Sequence, residues 1–199
     1  MRKIIEDLES LVKEVLGRDF SHGYPHVERV WRIAYDIVEH TGLEVDSCLL
    51  DISILLHDIG RVIGEPHAYY SALFARAYLE EQGVDRDFID KVVNAILYHS
   101  YSYARKHDIK PLTEEAKILS DADKLDALGV VGFLRVFHYS WEYGRDLEQT
   151  LNHFHEKIFN LHKLMHYEYT RRKAIELTRI TRELVERLIN EIGSAKGQT

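Results

Sequence analysis

Six side chains in this chain of 199 residues have the types and positions to do chemistry: His26, the adjacent pair His57 and Asp58, His67, His99 and Asp123. All but Asp58 lie on an apolar face at helical spacing. His26 shares a face with Val30 and Ile33, and His57 with Leu50 and Ile54. His67 lies with Tyr70, Ser71 and Phe74; His99 has Val92, Ala95 and Ile96 behind it; Asp123 has Ala116 and Leu119. Burying a polar group without a partner costs several kcal/mol, and an ionised aspartate is rarely buried alone. A single inward histidine is explained by one hydrogen bond within a core. Four histidines and two aspartates converging from separate helices call for a counter-charge, and a divalent cation supplies one.

The elements that would carry these groups read as helices nearly throughout. Leu8, Leu11, Val12 and Val15 mark a first helix ending near Gly17. Pro25 suits the first turn of a second, whose stripe is Val27, Val30, Trp31, Ala34, Ile37 and Val38 and whose end is Gly42. A third, apolar almost all round, is expected from Asp46 to Ile59, central in the core. Pro66 opens a fourth that stops near Gly83, a fifth covers 85–98, and a loop is expected after it. Thr113 reads as the N-cap of a sixth, with a following glutamate to close a capping box. A further helix covers 130–143, two long helices fill about 147–192, and the tail "GSAKGQT" should lie loose. No alternating strand pattern is present, so the fold class is all-α, with a single domain over 1–199, a core at about 20–130 and C-terminal helices at about 145–193 packing on it.

The ordered set resembles the HD-domain superfamily of metal-dependent phosphohydrolases. The resemblance rests on His26 in "PHVERV", His57 and Asp58 in "LLHDIGR", and Asp123 in "LSDADKLDALG", and runs through "FHYSWEYG" and "NHFHEKIFNLHKLM" to look like the small stand-alone members of that superfamily. It implies an HD-domain helical bundle with a helical C-terminal extension. It also implies that His26, His57, Asp58 and Asp123 bind one divalent ion, with Mn, Fe, Co, Ni, Zn and Mg all open. His67 and His99 stand where two-metal members carry further histidines. They are expected either to hold a second ion with Asp58 as the bridge or to contact the substrate's phosphate. Such an ion lowers the pKa of its water and neutralises phosphoryl charge; Asp58 and His57 are then the catalytic pair. Arg61, Lys124 and Arg29 are the candidate phosphate contacts, Arg61 and Lys124 also counting as catalytic, because a guanidinium or ammonium nearby suits phosphate. Asp126, one turn past Asp123, could orient a ligand or bind Lys124, and Glu28 and Glu65 are possible acids near the site.

Composition narrows the partners. A net charge of −7 argues against stable binding of nucleic acid through its phosphates, and the run Arg171, Arg172, Lys173 reads as a solvated helix face. No apolar run approaches a membrane span, "MRKIIEDLES" has no apolar leader segment, and the one cysteine, Cys48, reads as a core residue rather than a nucleophile. A reducing cytoplasm is therefore expected. The histidines of "LNHFHEKIFNLHKLMH" (His153, His155, His162 and His166) form no HExxH motif, and that segment reads as a lid or as the surface of a homodimer. The expected activity is hydrolysis of a small phosphorylated substrate, a nucleotide before other phosphate esters. The alternatives are a di-iron oxygenase on the same fold and a nucleotide-binding sensor without turnover.

Overall fold

The computed structural model describes residues 1–195, which are helical with intervening turns and hold no strand. The helices are α1 (Arg2–Leu16), α2 (Tyr24–Thr41), α3 (Ser47–Leu56), α4 (His67–Glu81), α5 (Arg86–His99), α6 (Tyr101–Lys106), α7 (Glu114–Asp126), α8 (Gly129–Glu142), α9 (Leu147–Glu156) and α10 (Glu168–Ala195). Two short 3-10 segments, Ile59–Val62 and Ile158–Leu164, interrupt them. The chain divides into two compact units, Met1–Asp123 and Lys124–Thr199.

In the first unit α3 is the central element, packed against α1, α2, α4 and α5. Leu49, Leu50, Ile52, Ile54, Leu55 and Leu56 are all buried, as an all-round apolar helix requires. Asp46 caps it by accepting from the N–H groups of Cys48 (2.9 Å) and Leu49 (3.1 Å), which satisfies two of the four free donors of a helix start. Cys48 sits in that first turn, partly exposed rather than in the core. Asp85 caps α5 in the same way. Thr113 Oγ1 accepts from Ala116 N–H at 3.2 Å, but the residue three positions on is that alanine, so no glutamate closes a capping box. Glu115 instead accepts from the Asp46 N–H at 2.6 Å, tying the start of α7 to the start of α3.

Two expectations change in this unit. The third helix stops at Leu56, not Ile59: Asp58 takes φ −109° and ψ 2°, outside the helical basin, and the chain turns through the 3-10 segment toward α4. Gly60 permits that turn, because a Cβ there would lie 2.4 Å from the His67 carbonyl oxygen and 2.5 Å from the Ser71 nitrogen. The expected loop after His99 contains α6.

In the second unit, α10 packs against α8 and against the 3-10 segment Ile158–Leu164. The two long C-terminal helices are in fact α9, that segment and the 28-residue α10. The physical reason is Asn160, whose side-chain amide donates to the His155 and Glu156 carbonyls at 3.0 and 3.3 Å and so closes α9. Ile158, Phe159 and Leu161 bury the segment. α10 takes in the first three residues of the expected loose tail; the last four lie outside the described residues. No helix among the described residues is long and apolar enough to cross a membrane.

Candidate metal centre

Two side-chain triads meet inside the first unit. The ligand atoms of His26, His57 and Asp123 lie within 4.8 Å of one another, and so do those of Asp58, His67 and His99. The carboxylate of Asp58 stands between the histidine pairs. Its Oδ2 is 3.7 Å from His26 Nε2 and 3.8 Å from His57 Nε2, while its Oδ1 is 3.4 Å from His67 Nε2 and 3.7 Å from His99 Nε2. Asp123 Oδ1 lies 3.4 Å from His26 Nε2. Thus all six residues singled out by sequence come together.

Local structure decides which ring nitrogen faces inward. His57 is the C-cap of α3, and its Nδ1 lies 2.7 Å from the Ile54 carbonyl oxygen. His99, the last residue of α5, bonds the Ile96 carbonyl through Nδ1 in the same way. A carbonyl can only accept, so both Nδ1 atoms carry the proton. The Nδ1 of His67 lies 3.1 Å from both carboxylate oxygens of Glu65, which again only accept when ionised. Each of these histidines therefore turns its Nε2, not its Nδ1, toward the centre. Burial, the largest influence, pushes His57 down to about 3 against the pull of Asp58, so the ring is neutral in ordinary buffers. Burial lowers His67 as well.

The acids are held in the opposite state. Burial acts to raise Asp58, but the charge of Arg61 above all keeps it well below the usual carboxylate range. His26 does the same for Asp123. Arg61 Nε donates to Asp58 Oδ2 at 2.6 Å, and its Nη2 lies 3.4 Å from His67 Nε2, so one guanidinium reaches two members of the second triad.

Two ionised carboxylates, inward lone pairs and little solvent make a donor set suited to a divalent cation. The decisive atom is Asp58 Oδ1, which is buried and makes no hydrogen bond among the described residues. The 3.2 Å between His26 Nε2 and His57 Nε2 points the same way. Donor atoms bound to one ion at about 2.1 Å lie roughly 3.0–3.4 Å apart, close to the spacings here. The residues present fit a metal.

The remaining candidates are placed differently. Arg61 keeps 23 % of its side chain exposed, at the edge of the cluster. Arg29 donates through Nη2 to the Phe20 carbonyl at 2.9 Å and covers the Phe20 ring. Lys124 is buried on α7, directly after Asp123. Asp126 is buried and accepts from Arg135 Nη1 at 2.8 Å, a strong match because a guanidinium stays charged in a buried pair. Glu65 proved to be the partner of His67. Its signal in sequence was position alone, a carboxylate two residues before a histidine at a helix start.

Comparisons with known proteins place the chain in a family. Residues 23–128 match the HD domain family, and the chain belongs to it. It is 28 % identical to YpgQ of Bacillus subtilis over 99 % of this chain and 98 % of that one. The crystal structure of YpgQ in complex with ADP superposes with a TM-score of 0.74 at 25 % identity, covering 96 % of this chain and 95 % of YpgQ. An HD-superfamily hydrolase from Bacillus thuringiensis gives 0.68 at 27 % identity over 96 % and 98 % of the two chains. A protein from Lactobacillus plantarum gives 0.81 at 24 % identity over 98 % and 99 %, a likeness of fold. The fold is that of the HD-superfamily hydrolases, and its His/Asp cluster can hold a divalent metal.

Proposed function

We propose that the chain is a metal-dependent phosphohydrolase that cleaves a nucleotide or another small phosphate ester with activated water. The observation that carries this reading is the position of Asp58: each carboxylate oxygen faces its own pair of histidine Nε2 atoms, and Oδ1 is buried without a hydrogen bond. His26, His57 and Asp123 would hold one ion and His67 and His99 a second, with one Asp58 oxygen available to each set. Bound there, a divalent ion supplies Lewis acidity toward phosphoryl oxygens and acidifies water.

The chain's own residues do the rest. His57 presents a neutral ring, and the Nδ1 nitrogens of His57, His67 and His99 are already committed to carbonyls or to Glu65. Asp58 orients the water. Arg61 is the first contact for the phosphate, ahead of Lys124 and Arg29, because its partly exposed guanidinium reaches from Asp58 to His67. The ADP complex of YpgQ supports a nucleotide as the first class to test. The test is a screen of the Mn- or Co-loaded protein under anaerobic conditions against nucleotides and sugar phosphates, reading released phosphate. Release that His57→Ala and Asp58→Ala abolish supports the reading. Release that survives those substitutions refutes the metal mechanism, and two bound irons with dioxygen uptake in place of release point to an oxygenase.

A further inference from the structure

The second triad continues outward into an aromatic surface that the chemistry above does not use. Two chain segments meet here, the start of α4 with His67 and the α5–α6 corner with His99. The histidine rings of these segments lie 5.5 Å apart. Two residues after His67 comes Tyr69, and four after His99 comes Tyr103; their rings face one another with centroids 6.4 Å apart and planes within 29°. The same two segments are thus joined twice, once by the histidines inside and once by the tyrosines outside. The row extends on both sides, to Tyr70 at 5.6 Å from Tyr69 and to His107 at 4.3 Å from Tyr103.

This row is open to solvent where the triad is not. Tyr69 is 42 % exposed, whereas His99 is 2 % exposed. Neither the Tyr69 nor the Tyr103 hydroxyl has a hydrogen-bond partner among the described residues, and the two rings meet only one another, Tyr70 and His107. Directly after Arg61 come Val62 and Ile63, 61 % and 65 % exposed, which adds apolar surface beside the cationic edge. Arg61 Nη2 lies 3.4 Å from His67 Nε2, two residues before Tyr69 in the chain, and π-faces recognise a flat heterocycle without regard to its hydrogen-bonding edge.

We infer that Tyr69 and Tyr103 form a stacking platform for the base of a nucleotide whose phosphate is held at the His67–His99 side of the cluster. This rests on the phosphohydrolase reading and names its substrate as a nucleoside phosphate, with little discrimination among bases.

Calorimetric titration of the Mn-loaded full chain with ADP and with inorganic diphosphate tests it. The wild type should bind ADP more tightly than diphosphate. Tyr69→Ala and Tyr103→Ala should each weaken ADP roughly five- to a hundredfold, the range of single base–aromatic contacts, and leave diphosphate unchanged. Tyr69→Phe and Tyr103→Phe, which keep the ring, should restore ADP affinity; they also serve if an alanine variant fails to fold. Equal wild-type affinity for the two ligands, or alanine variants that weaken both or neither, overturns the platform and leaves the phosphate site standing. Binding of neither ligand by the wild type overturns the phosphohydrolase reading, and the platform with it.

Discussion

His57 is buried, neutral and held at about 3, and in the metal-free protein this couples folding to pH in a defined direction. The unfolded chain takes up a proton on His57 near 6.5 while the folded chain does not until about pH 3, so between those values the unfolded state binds more protons. Stability therefore rises with pH across that window and is lost as pH falls through it. Each pH unit of the window is worth about 1.4 kcal/mol. Going from pH 7.5 to pH 5 spans some one and a half units of it, hence a loss of about 2 kcal/mol from His57 alone. For a chain of this length that is a fall in Tm of roughly 4–8 °C. His67 and His153, the latter lowered to about 4, act in the same direction. Asp58 and Asp123, both depressed, contribute stability that is lost only at lower pH, as the unfolded carboxylates begin to protonate. Urea unfolding in chelator at pH 7.5 and pH 5, on the wild type and on His57→Asn, measures the difference. The variant should lose about 2 kcal/mol less between the two conditions than the wild type. Equal pH dependence in the two proteins would refute the reasoning, whatever their absolute stabilities.

Other outcomes follow from particular contacts. Arg61→Ala should leave metal content intact and slow phosphate release roughly ten- to a hundredfold, the range of one charged hydrogen bond; Arg61→Lys should recover part of this, since it keeps the charge but not the fork that spans Asp58 and His67. Arg135→Met removes the guanidinium from the buried Asp126 carboxylate and should cost about 3–5 kcal/mol in denaturant unfolding, most of it regained in the double variant with Asp126→Leu. Gly60→Ala should sharply reduce metal content as well as stability, because its Cβ would collide with the backbone of His67 and Ser71.

Much of the site was legible in the sequence because the relevant signals are local. Val27, Val30, Ala34 and Ile37 are buried at the spacing that predicted them, and this fixes the face on which His26 points inward. The same logic places His57, His99 and Asp123. What could not be read depends on where the chain turns. The sequence pattern carries α3 through Ile59, whereas Asp58 leaves the helix so that its two oxygens face different histidines. Tertiary partners were also out of reach: Asp126 finds Arg135 nine residues on, and Glu115 finds Asp46 across a separation of 69 residues. Asn160 ended a helix that apolar periodicity alone would have continued, since its side chain competes for the last carbonyls of α9.

The central claim is that Asp58 stands between two metal positions. Elemental analysis of protein purified without chelator and saturated with Mn measures this most directly, with Asp58→Ala and His67→Ala alongside. The account predicts two ions per wild-type chain, one in His67→Ala and fewer than one in Asp58→Ala. A wild type that holds no divalent ion, or an Asp58→Ala variant that binds as many as the wild type, would contradict it.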